Sequence, residues 1–136
     1  MARWLIREID AIPTVADGEP GGPTWFPLQH ALGIDRFGVN VFAAVRGDET
    51  LVEEHDERRS GQQELYLVLT GRALFELDGE QAEVGARTAV AVTDPSVRRS
   101  ARALEAGTSV LVVGAAAGPF VSTWDATHFD GIPRPG

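Results

Sequence analysis

Between Glu53 and Gly71 the chain reads EEHDERRSGQQELYLVLTG, which sets a histidine and several carboxylates just ahead of an alternating apolar run. His55 and Glu57 are two residues apart, so a strand carrying both would turn them to one face. Glu64, Tyr66 and Val68 share a face of the following strand, and Leu65, Leu67 and Leu69 take the other. An imidazole and carboxylates converging from two strands could coordinate a metal ion or hold a polar small molecule. A third contributor comes later, in GARTAVAVTDPSVRRSARA, where Arg98 and Arg99 stand side by side.

Glu64 followed after six residues by Gly71, with His55 and Glu57 upstream, resembles the first sequence motif of the cupin superfamily, His-x-His, three or four residues, Glu, six residues, Gly. The chain departs from that motif in two ways. Glu57 stands where the second histidine belongs, and six residues separate Glu57 from Glu64, so the intervening turn is longer and its tip, Arg58 to Gly61, is expected in solvent. The second cupin motif, Pro-x-Gly-x-x-His, should follow Gly85. If Pro95 takes the place of its glycine, spacing puts Arg98 at the histidine position. Strand alternation favours Arg99 instead. Val97, Arg99, Ala101 and Ala103 form a small or apolar face, whereas Arg98, Ser100 and Arg102 form a polar one. No histidine is available on either reading.

The resemblance implies a metal site of three histidines and one glutamate around Fe, Mn, Ni, Cu or Zn, of which one histidine remains here. Arginine keeps its proton and cannot be a ligand, but its guanidinium can neutralise Glu57 or Glu64 through paired hydrogen bonds. At ~4 Å and an effective dielectric near 20 such a pair is worth ~4 kcal/mol before desolvation, which leaves a net close to nil. Retention for a ligand is then a better reason for the arginine than stability. Each residue also has an ordinary structural role open to it. His55 could cap a strand end in water, Glu57 could belong to the solvated run with Glu53, Glu54 and Asp56, and Tyr66 could be core with a satisfied hydroxyl.

Composition narrows the partners. The 136 residues, 43% apolar and 24% charged, suit one hydrophobic core. With no cysteine there is no disulfide and no thiolate metal site. A formal charge of −8 argues against a nucleic-acid backbone or an anionic membrane as partner. MARWLIREID holds no apolar run of signal-peptide length, and Val110 to Val121 is too short to span a bilayer, so a cytoplasmic protein is expected.

The elements that must position the site read as β-strands. The pattern predicts strands over Phe37 to Val45, Thr50 to His55, Glu64 to Thr70, Arg72 to Leu77, Thr88 to Val92, Val97 to Ala103 and Thr108 to Val113. Turns are expected at Arg46-Gly47-Asp48, Asp78-Gly79 and Glu105-Ala106-Gly107. Only Leu28 to Ile34 shows helical spacing, enough for a turn or two. Pro20 to Pro23 reads as a loop and Gly131 to Gly136 as a loose tail. Trp25, His30, Trp124 and His128 fall in loop-like segments that could close a barrel mouth or pack the termini onto the barrel. Such spacing of short strands points to an all-β sandwich or barrel. With the resemblance, the expectation is a cupin-type jelly-roll barrel of two antiparallel sheets. It would be one domain over 1–136, with the barrel at 37–114, an N-terminal arm at 1–36 and a C-terminal extension at 115–136. The apolar runs Val110 to Val113 and Leu65, Leu67, Leu69 imply cover on both sheet faces by a second layer or a second subunit, and the resemblance implies a homodimer.

The reading that best joins these features is a small-molecule-binding barrel whose polar pocket is lined by His55, Glu57, Glu64, Tyr66 and Arg99. Its ligand would be anionic or polar, and no cofactor is expected. The alternative is a metal-dependent enzyme of oxygenase or isomerase type, with His55, Glu57 and Glu64 on Mn, Fe, Zn or Ni. A further alternative is a dimeric interaction module without a ligand.

Overall fold

The computed structural model describes residues 3–15, 22–118, 124 and 126–134. Among these described residues, nine strands build two antiparallel sheets: β1 (Thr24–Phe26), β2 (Gly38–Ala43), β3 (Thr50–His55), β4 (Gln63–Thr70), β5 (Arg72–Leu77), β6 (Glu80–Gly85), β7 (Ala89–Val92), β8 (Arg99–Ala103) and β9 (Ser109–Ala115). One sheet runs β1-β2-β9-β4-β7 and the other β3-β8-β5-β6. A single helical turn, α1 (Leu28–Ala31), lies between β1 and β2, shorter than the spacing of Leu28 to Ile34 allowed.

The two sheets face each other across a core of Val52, Tyr66, Val68, Phe75, Ala101, Ala103 and Val110, all buried. Alternation along β4 turns Tyr66 and Val68 inward and the leucines outward, as a pleat with period two requires. The outer face of the five-stranded sheet is partly covered by the chain itself. Ile9, Ile12, Leu28, Leu32 and Ile34 pack there against Val39, Val41, Leu69, Leu111 and Val113. That cover, drawn from the N-terminal arm and α1, accounts for much of the apolar outer row of β9 without a second subunit.

Asp78 (φ 48) and Gly79 (φ 84) both take positive φ and join β5 to β6 with Leu77 opposite Glu80, the two-residue hairpin expected of Asp-Gly. Two strands escape the pattern in the sequence. β6 holds four consecutive exposed residues, Glu80 to Glu83, at a sheet edge, so nothing along it alternates. β1 has three residues, and Trp25 sits within it rather than in a loop. The segment after Gly131 is not loose where it is described, because Ile132 is buried beside Val15 and Trp25. Of the loop expected at Pro20 to Pro23, residues 20–21 lie outside the described residues.

Candidate functional site

β3, β8 and β4 bring the site together, and β3 does so through two register shifts against β8, one between Thr50 and Val52 and the other, at the site, between Val52 and His55. Val52 pairs with Ala101 and His55 with Arg99, so three steps on β3 match two on β8. The extra residue is a bulge, which reverses the facing of everything after it. Without it Glu54 would follow Val52 into the barrel; with it His55 does, directly across from Arg99. β8 then runs with Arg99, Ala101 and Ala103 buried, while Arg98 is exposed and pairs with Glu54 at 3.3 Å. Arg99 is thus the inward arginine, as alternation indicated.

Glu57 reaches the same place by a different route. β3 ends at His55, so the pleat does not align the two side chains as their spacing suggested. The loop does it. The Glu57 N–H donates to the carbonyl of Pro95 (2.8 Å), the Gly61 N–H donates back to the Glu57 carbonyl (2.7 Å), and the Ser60 hydroxyl donates to Glu57 Oε2. Ser60 was not singled out from sequence, and Pro95 only as a stand-in for the motif glycine; a serine three residues after an acid was the available signal.

The resulting cluster is graded from mouth to interior, with side-chain exposures of 35% for His55, 19% for Glu57, 10% for Glu64 and 0% for Arg99. His55 Nε2 lies 3.2 Å from Glu57 Oε1 and 3.3 Å from Glu64 Oε1, and its Nδ1 lies 2.7 Å from the Glu53 carbonyl. Carboxylate and carbonyl oxygens only accept, so both ring nitrogens donate and the ring is an imidazolium. The two carboxylates are the main reason that the His55 pKa is pushed up to about 10, against the opposing effect of burial. His55 in turn holds the Glu57 carboxyl below its ordinary range. Tyr66 donates its hydroxyl to Glu64 Oε1 at 2.6 Å, and burial, then the Glu64 charge, pushes the phenol pKa up. Arg99 Nη1 donates to the Val97 carbonyl at 2.8 Å, and its Nη2 lies 3.5 Å from Glu64 Oε1. Among the described residues, the buried Nε and Nη2 of Arg99 make no hydrogen bond of good geometry, although Nη2 is ion-paired with Glu64 and the guanidinium lies close enough to the Tyr66 hydroxyl to act on it. Gly114, paired with Glu64 across β4 and β9, leaves room for this packing: a Cβ there would lie 2.7 Å from Gln62 Oε1 and 3.3 Å from Glu64 Oε2.

No protein-family model matches the chain, and no curated protein does. Among solved structures it is similar to KdgF from Halomonas sp., at 19% identity over 84% of this chain and 93% of that one, with a TM-score of 0.65. It is also similar to a cupin protein from Bacteroides fragilis (18% identity, 93% and 95% covered, TM-score 0.65). A third is Streptomyces Pac13, a nucleoside dehydratase (15% identity, 85% and 82% covered, TM-score 0.58). The fold is that of the cupins.

In cupin terms, the first motif ends in a glycine that the backbone requires. Gly71 takes φ 77 between β4 and β5, and a Cβ there would meet Thr108 Oγ1 at 2.3 Å. The metal motif is where this chain differs. One atom each from His55, Glu57 and Glu64 lies within 4.8 Å of the others, so the three can reach one ion. The charges are already balanced without it, two carboxylates against the imidazolium and the guanidinium. A divalent ion would have to displace the His55 proton and would leave a buried surplus of positive charge beside Arg99, a costly arrangement. The donor set therefore fits a proton better than a transition metal.

The aromatic residues form a separate group. Trp25 Nε1 donates to Asn40 Oδ1 (2.9 Å), and the Trp25 ring lies 4.7 Å from Trp124, 6.4 Å from His128 and 5.8 Å from Phe129. His30 stacks on Phe129 at 4.4 Å, donates Nε2–H to the Ile132 carbonyl and accepts from Arg134 Nε. These contacts pack the C-terminal segment against β1 and α1.

Proposed function

We propose that the chain is a small-molecule-binding cupin whose ligand enters past His55 and Glu57 and is held against Arg99, with the His55 proton in place of a metal. The observation that carries this is the pair of buried, unsatisfied N–H groups on Arg99. Leaving such donors without an acceptor costs roughly 1 to 3 kcal/mol apiece, more on a charged group, so an acceptor from outside is their natural partner. A polar oxygen of the ligand would serve. The competing reading, a metal-dependent cupin enzyme on His55, Glu57 and Glu64, has in its favour the closeness of the three donor atoms.

Metal analysis of protein purified without chelator, followed by titration with Mn²⁺, Fe²⁺, Ni²⁺ and Zn²⁺, separates the two. The proposal expects substoichiometric metal and no saturable binding that depends on His55. Stoichiometric metal lost in His55→Ala would favour the enzyme.

In the same reading a second copy of the chain covers what the N-terminal arm leaves bare on the five-stranded sheet. Leu65 is 40% exposed there, on a row with Leu67 and beside Ala89 and Ala91.

A further inference from the structure

Charge arithmetic at the cluster narrows the ligand, on the assumption that the pocket reading above is correct. Glu57 and Glu64 contribute two negative charges, and His55 and Arg99 contribute two positive ones, the imidazolium following from acceptors on both of its nitrogens. The unsatisfied guanidinium therefore has spare hydrogen-bond donors without spare charge. An anion arriving at Nε and Nη2 would face Glu64, whose Oε1 is 3.5 Å from Nη2, with no uncompensated cation among these groups to repay its desolvation. An uncharged oxygen incurs neither cost. Glu57, nearer the mouth, accepts from His55 on one oxygen and Ser60 on the other and keeps lone pairs that can accept a further donor from the same ligand. Nε and Nη2 are themselves buried and beyond Arg99 the barrel is filled by Tyr66, Val68, Phe75 and Val110, so a ligand reaches these donors with its tip alone and by moving the His55 and Glu57 side chains at the mouth aside.

We infer that this site takes an uncharged hydroxycarbonyl compound, its carbonyl oxygen accepting from Arg99 Nε–H and Nη2–H and its hydroxyl donating to Glu57. The commitment excludes carboxylates and phosphates as the group bound at Arg99.

Hydroxyacetone and glycolate are close in size and differ in charge, which makes them suitable probes. The readout is the Arg99 Nε–H resonance of the full chain at neutral pH, assigned by its disappearance in Arg99→Lys. Hydroxyacetone is expected to shift it saturably, and glycolate to bind about tenfold more weakly or worse. Glu57→Gln, at a half-buried position, removes one negative charge and should reverse that preference. Equal effects of the two probes, a preference for glycolate in the natural chain, or no reversal in Glu57→Gln would overturn the inference while leaving a ligand pocket at Arg99. If neither probe moves the resonance, the pocket reading falls and the inference with it, a trapped water then being the acceptor for Nε–H and Nη2–H.

Discussion

At Arg99 the side chain is enclosed and charge-paired, whereas Arg98 lies on the outer face in water, paired with Glu54 and Asp56 at 3.3 and 3.8 Å. Their truncations should differ accordingly. Arg99→Ala is expected to cost roughly 3 kcal/mol, the lower end for breaking a buried pair because His55 still neutralises Glu64. Arg98→Ala should cost less than about 0.5 kcal/mol. Denaturant midpoints of the two variants test this, and a larger loss for Arg98 would contradict the inward placement. His55 offers a second test at this scale. Its folded pKa, about 10, lies above the unfolded value of 6.5, so the folded state binds the extra proton between them. The stabilisation it brings is complete below pH 6.5 and fades as pH rises through 10. Glu57, with a lowered pKa, works in the opposite window, its contribution present above its ordinary carboxyl range and lost on acidification. An imidazole resonance that titrated near pH 6.5 in the folded protein would show that the two carboxylates do not hold the proton.

Glycines at strand junctions separate backbone strain from crowding. Gly71 and Gly79 have nearly the same positive φ, 77 and 84, but the first faces Thr108 and the second open space. Gly79→Ala should cost about 1 kcal/mol from the left-handed conformation alone. Gly71→Ala adds a clash with buried Thr108, whose single hydroxyl proton lies between the carbonyls of Glu105 (2.7 Å) and Arg72 (3.0 Å), and should cost at least about 2 kcal/mol more than Gly79→Ala. Equal melting temperatures for the two variants would mean that the β4–β5 corner yields. The hairpin at Asp78-Gly79 and the core face of β4 were legible because they depend on local φ preference and on period two. β6 was not, since its first four residues are exposed on both faces and only Val84 is buried.

For the whole molecule, the proposed second copy is tested at the outer face of the five-stranded sheet. If a second copy covers it, sedimentation should find a dimer, and Leu65→Lys should weaken that dimer roughly tenfold or more while leaving the circular dichroism spectrum unchanged. A monomer at high micromolar concentration would remove the second copy and leave Leu65 as an isolated exposed leucine, which soluble proteins tolerate. Among the described residues, no helix is long and apolar enough to cross a membrane.

What the sequence determined by itself is whatever depends on near neighbours along the chain: the strands with one buried face, the Asp-Gly hairpin, the Glu64 to Gly71 spacing that announced a cupin barrel, and the alternation that turned Arg99 inward. What only the tertiary structure decided depends on partners far apart in the chain. His55 enters the barrel because an extra residue in β3 is absorbed against β8, a register that exists only once the strands pair. Glu57 joins it because Pro95 and Ser60 pin a loop that carries no periodic signal. The charge balance that argues for a proton over a metal follows from four side chains set within contact by three strands and that loop, and no local pattern in the sequence records the distances between them.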